Sequence, residues 1–127
     1  MTLWRITLGI VALLITGCGS VTSVHGWAGG PVAAGVQDGT AVVRYKAPSA
    51  GWRLTVDRTK VDAGTAKMWI TAHAGPSGPR TQTQIEASWT PEEAQIGCTQ
   101  AYIRIERKGQ PAGAYIPAAV GCGPLAP

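Results

Sequence analysis

The sequence predicts an all-β chain folded as a small antiparallel β-sandwich of about six or seven strands. Three observations carry that expectation. Six segments beyond Gly39 alternate apolar and polar residues with period 2, they are rich in β-branched and aromatic residues, and clusters of Gly, Pro, Asp and Ser separate them. The segments are TAVVRYKA, GWRLTVDRTKV, AKMWITAHA, TQTQIEASW, AYIRIERK and AYIPAAV, with KAPSAG, DAGT, GPSGP and KGQPAG among the turns.

The chain starts with something else, MTLWRITLGIVALLITGCGS. The apolar run from Ile6 to Thr16 is well short of the about 20 residues that a membrane-spanning helix requires. It has the length of the hydrophobic region of a secretory signal, follows a short segment carrying Arg5, and ends in small residues. Ile15-Thr16-Gly17-Cys18 then resembles the lipobox of bacterial lipoproteins, an aliphatic residue, a small one, Gly or Ala, then Cys. The resemblance implies that residues 1–17 are a lipoprotein signal peptide and that Cys18 is lipidated on sulfur and amino group with palmitate-like chains. An ordinary signal cut elsewhere is the alternative. Each buried methylene contributes about 0.8 kcal/mol, so several acyl chains on one residue hold a protein to the bilayer without a spanning segment. Gly19 stands where Asp resembles an inner-membrane retention signal, so the implied location is the outer membrane, facing the periplasm.

Residues 18–39 read as the lipidated Cys and a flexible tether, because GSVTSVHGWAGGPVAAGVQDG has no sustained period and is rich in Gly, Ser and Pro. Such a tether would reach about 25 Å. Within it, residues 32–36 could instead pair as a short edge strand. Residues 40–127 are the expected β-sandwich domain, immunoglobulin-like in kind.

Period 2 assigns faces along these strands. Trp52, Leu54 and Val56 turn one way and Arg53, Thr55 and Asp57 the other; Ile85, Ala87 and Trp89 oppose Gln84, Glu86 and Ser88; Ile103 and Ile105 oppose Tyr102, Arg104 and Glu106. Between the fourth and fifth segments, Thr90-Pro91-Glu92-Glu93 has the form of a capping box with Pro at the first helical position. A short helix crossing between the sheets is expected there, with an irregular loop as the alternative.

Two cysteines remain beyond Cys18, and an exported compartment favours their oxidation. If 101–107 and 114–120 form a hairpin around KGQPAG, facing residues have numbers summing to about 221, within one of the sum for Cys98 and Cys122. A disulfide between Cys98 and Cys122 is therefore expected, with a one-residue bulge near Pro117.

Catalytic and metal chemistry find little purchase. The two histidines are His25 and His73, no His-x-x-x-His or Cys-x-x-Cys pair occurs, Ser77 lacks the Gly-x-Ser-x-Gly setting of a nucleophile elbow, and no phosphate loop of Gly-x-x-x-x-Gly-Lys type is found. A non-enzyme with no metal or cofactor is the reading. The formal charge of +4 over 127 residues, with both signs interspersed, is too mild for nucleic-acid binding.

A weaker resemblance covers residues 50–85, where AGWRLTVDRTKVDAGTAKMWITAHAGPSGPRTQTQ looks like the central strands of small envelope lipoprotein domains of the protease-complex-inhibitor kind. It implies a small β-sandwich that binds another envelope protein. The expected function is thus a membrane-anchored, non-catalytic protein-binding, accessory or inhibitory module. A small periplasmic hydrolase or ligand-binding enzyme using His73 is the alternative, and it needs a carboxylate or hydroxyl beside His73 in a concave site. The candidate partner face lies on AKMWITAHA, where Met68, Ile70 and Ala72 form the apolar set and Lys67, Trp69, Thr71 and His73 face the other way. Trp69 occupies a position where the pattern calls for a polar residue. It is either a partner-binding side chain or one packed under the tether or against Trp27.

Overall fold

All six alternating segments form strands, and two more precede them. The computed structural model describes residues 20–21, 27, 29–76, 82–92 and 94–125. Its strands are β1 (Ser20–Val21), β2 (Val32–Gln37), β3 (Thr40–Ala47), β4 (Arg53–Asp62), β5 (Thr65–His73), β6 (Thr83–Trp89), β7 (Cys98–Glu106) and β8 (Ile116–Cys122). They build two sheets, one of order β1-β8-β7-β5-β4 and one of order β2-β3-β6. The chain is an all-β sandwich, and no helix occurs among the described residues.

Every pairing is antiparallel except that of β5 with β7. Parallel neighbours need a long connection, and here the chain leaves β5, runs through β6 in the other sheet, and returns as β7. Among the described residues of 90–97, which make that return, the expected helix does not form. So short a stretch barely repays helix nucleation. Its backbone is instead tied to the sheet, with Gly97 N donating to Gly64 O at 2.9 Å and Ile96 packed on the core.

The tether expectation fails at residues 32–37, which form β2. Val32 and Ala34 are buried, and β2 pairs along its whole length with β3. Asp38 and Gly39, both with positive φ, connect them in the two-residue turn whose twist suits a hairpin. Burial of the Val and Ala side chains outweighs the flexibility that Gly35 and Gly30 confer on the segment. The expected signal peptide, Cys18, Gly19 and residues 22–26 and 28 of the tether lie outside the described residues.

The core lies between the sheets and is built from small residues, with Ala34, Ala41, Ala47, Ala66, Ala72 and Ala101 fully buried. Tyr45, Met68, Ile70 and Ile103 supply most of its bulk. Small side chains let the sheets approach closely near Gly35, where an added Cβ would stand 2.7 Å from Gly123 O. Thr99, fully buried there, donates its hydroxyl to Gly35 O at 2.7 Å, so its polar group is satisfied across the sandwich.

Two one-residue irregularities shape the larger sheet. In β4 the register steps between Val56 and Arg58, leaving Asp57 without a partner on β5. In β8, Tyr102 faces Pro117 while Ala101 faces Ala119, so the extra residue is Ala118, beside the proline that cannot donate to the ladder. Cys98 faces Cys122 at the end of this hairpin, with the sulfurs 1.99 Å apart. The expected pair stands at disulfide distance.

Candidate functional site

The outer face of the five-stranded sheet carries a dense set of polar side chains. Register fixes it in rows across β4, β5 and β7: Lys60, Lys67 and Gln100; Arg58, Trp69 and Tyr102; Thr55, Thr71 and Arg104; Arg53, His73 and Glu106. The four residues expected on one face of β5 therefore do share that face, one per row. Their surroundings differ from the expectation in instructive ways.

Trp69 is half-buried, and its ring neighbours come from β4 and β7 rather than from Trp27. One neighbour is the Arg58 guanidinium, 4.0 Å from the ring centroid. Tyr102 is the other, stacked at 5.0 Å with the planes 8° apart. Cross-strand pairs of this kind stabilise a sheet and orient each other. Trp27, the other expected neighbour, packs instead edge-on to Tyr45 at 6.2 Å, at the mouth of the core. Lys67 pairs with Asp62 at 3.3 Å.

Thr71 is only 2% exposed and belongs to a network that period 2 alone does not reveal. The bulge brings the Asp57 carboxylate beside it. Asp57 Oδ2 accepts hydrogen bonds from the Thr71 hydroxyl and, at 2.7 Å, from the Tyr115 hydroxyl. Arg104 donates from Nε to Thr71 Oγ1 at 2.8 Å, lies 3.9 Å from Asp57 Oδ2, and covers the Tyr115 ring at 4.7 Å. Burial pushes the Asp57 carboxyl up, but the hydrogen bonds from Thr71 and Tyr115 and the charges of Arg104 and His73 together outweigh it and hold it below the usual carboxylate value. Tyr115 is raised, by burial and by its bond to Asp57.

A pH dependence follows. A carboxyl lowered in the folded state contributes stability that is fully present above its unfolded value of about 3.9 and is lost as pH falls through the folded one. Asp57→Asn should therefore flatten the loss of thermal stability below about pH 4, as read from melting curves at neutral and acid pH. An unchanged acid slope would show that the network carries no such linkage.

His73 joins both neighbouring strands. Its Nδ1 lies 3.1 Å from Glu106 Oε1 and its Nε2 lies 2.9 Å from Thr55 Oγ1, so hydroxyl, imidazole and carboxylate stand in line. The carboxylate and the hydroxyl that the enzyme reading needs are both within reach. A concave site is not formed around them by the two grooves nearby. One groove of about 370 Å³ lies at the mouth of the core, lined by Trp27, Ile105, Arg107 and Ala114; the other, of about 340 Å³, is lined by Arg58, Thr59, Lys60, Lys67 and Trp69. His73 lines neither. Among the described residues, no cluster of three or more His, Cys, Asp or Glu side chains is placed to hold a metal ion.

Sequence reasoning singled out Lys67, Trp69, Thr71 and His73 but missed their partners Arg58, Thr55, Tyr102, Arg104, Glu106 and Tyr115. Alternation already placed Arg104, Tyr102 and Glu106 on one face of β7; the missing knowledge was that β7 lies beside β5. Comparison of the chain with family models, with curated proteins and with solved structures finds no match.

Proposed function

We propose that the protein is a lipid-anchored lipoprotein of the bacterial envelope, held through acylated Cys18 at the outer membrane and facing the periplasm, and that it acts as a non-catalytic module binding another envelope protein. The anchor is supported by Ile15-Thr16-Gly17-Cys18 after an apolar run of signal-peptide length. The observation that carries the binding role is the ordered outer face of the five-stranded sheet, where Arg58, Trp69 and Tyr102 form a stacked row beside the Asp57–Thr71–Arg104 network. Aromatic residues and Arg already fixed by their neighbours lose little freedom on binding, which suits them to anchor an interface. Thr71, 2% exposed, is spent on that network rather than on a partner.

Labelling cells with a fatty-acid analogue should tag the protein, and Cys18→Ala should abolish both the tag and the processing. An untagged protein of mature size would refute the anchor. For the face, Trp69→Ala should cost about 2 kcal/mol, between the about 0.5 of a free surface position and the about 3–5 of a core Trp, and should weaken crosslinking to the partner in native membranes. Crosslinking to the same partner at undiminished yield would remove this face from the proposal.

A second reading, a small hydrolase using His73, is favoured by one observation, the line Thr55–His73–Glu106. In that reading His73 takes the Thr55 proton while Glu106 holds the ring. Turnover of a simple acyl ester, lost in both His73→Ala and Thr55→Ala, would favour it over the binding module.

A further inference from the structure

β1 changes how far the domain can stand from its anchor. Ser20 pairs with Gly121 and Val21 with Val120, at the edge of the five-stranded sheet. Cys18 precedes Ser20 by two residues, and two residues of chain span at most about 7 Å. An acyl group on Cys18 would therefore enter the bilayer next to the end of the sheet that holds Cys98, Cys122 and the Ala63–Gly64 turn. A free reach of about 25 Å, the value expected for an unpaired tether, is not available to a chain paired at Ser20.

The charges at that end are unevenly distributed. On the outer face of the five-stranded sheet stand Lys60, Lys67 and Arg58, with Asp62 beside Lys67; Lys60 and Arg58 are exposed and all three cations border the groove that includes Trp69. On the side of the three-stranded sheet the exposed charges at this end are acidic, Asp38 in the β2–β3 turn and Glu92 after β6, while the exposed Lys46 lies at the far end of β3. The bond from Val36 N to Gly123 O at 2.8 Å and that between Thr40 and Thr90 hydroxyls at 2.8 Å place both acids at this same end. A negatively charged surface close by attracts one side and repels the other, and at such separations salt screens the effect only partly.

We propose that the disulfide end of the sandwich stands on the bilayer with Lys60, Lys67 and Arg58 turned to anionic phospholipid headgroups. The orientation rests on the acylation of Cys18 proposed above. It leaves the upper rows of the face clear of lipid: His73 lies six residues along β5 from Lys67, about 20 Å farther from the membrane. A partner that engages Trp69 and Tyr102 would then meet the face from the side, at the level of the headgroups, where Arg58 lies between lipid and partner.

Lysine footprinting of the processed, full-length lipoprotein reconstituted into vesicles tests this. The reagent is a membrane-impermeant amine-reactive ester, and the vesicles are phosphatidylcholine alone or phosphatidylcholine with phosphatidylglycerol. Lys60 and Lys67 should be modified severalfold more slowly in the anionic vesicles, Lys108 in the turn at the opposite end should be unaffected, and high salt should erase the difference. Arg58→Gln, which leaves both reporter lysines in place, should lessen the protection. Equal modification of Lys60 and Lys67 in the two vesicles, on protein that carries acyl groups by intact mass and floats with the lipid, would overturn the orientation and leave the anchor standing. Protein without acyl groups that fails to float would overturn both.

Discussion

Tyr45→Ala is expected to lower the unfolding free energy by about 3–5 kcal/mol, toward the upper part of that range. Tyr45 is fully buried and is the bulkiest side chain to be so. Its ring meets Trp27 at 6.2 Å and Trp52 at 5.9 Å, both edge-on, and its hydroxyl donates to Gly29 O at 2.7 Å. The neighbouring core is largely alanine, which has no rotamer freedom with which to close a cavity. Tyr45→Phe keeps the volume and leaves only the Gly29 carbonyl without its donor, so it should cost about 1 kcal/mol. Urea unfolding of the two variants separates these contributions; equal losses would mean that the hydrogen bond, not the ring, holds this part of the core.

Removing the bridge between Cys98 and Cys122 is expected to cost roughly 3.5 kcal/mol on the chain-entropy account, given a sequence separation of 24. For a domain of this size that corresponds to a fall in melting temperature of roughly 14–28 °C. The bridge closes the end of the sheet where β7 joins both its parallel neighbour β5 and its antiparallel neighbour β8. Its loss should therefore loosen two pairings at once. Melting curves with and without reductant, beside a Cys98→Ala/Cys122→Ala variant, measure the effect. Two titratable thiols in the oxidised protein with an unchanged melt would contradict the assignment.

The pairing of the cysteines was legible in the sequence because it follows from local arithmetic: a hairpin fixes the sum of facing residue numbers, and Pro117 marks where the sum must slip. That sum is 220 at the cysteines and 219 beyond the bulge, against the expected 221. The inward faces of β5, β6 and β7 were legible for the same local reason, since alternation survives wherever one side of a strand is buried. β2 was harder to read, because VAAGVQ sets small residues on both faces; yet Asp38-Gly39, a strong two-residue hairpin signal, was there to be read. What no local pattern gives is which strands become neighbours. The parallel pairing of β5 with β7 depends on the whole chain, and without it Arg104 and Glu106 cannot be placed beside Thr71 and His73. The bulge that presents Asp57 leaves only a slight trace, a change of the apolar phase from Trp52, Leu54 and Val56 to Val61 across two successive polar residues, Asp57 and Arg58.

That bulge has a consequence for how the protein behaves in a crowd of its own copies. β4 is the longest strand and forms an edge of its sheet, with a row of backbone donors and acceptors open to any extended chain that drifts alongside. The register step at Asp57 interrupts that row partway along, and Arg53, Arg58 and Lys60 give each copy of the edge the same charge. Two such edges cannot zip together over their length. The bulge that builds the polar network thereby also works against β4 of one copy extending the sheet of another.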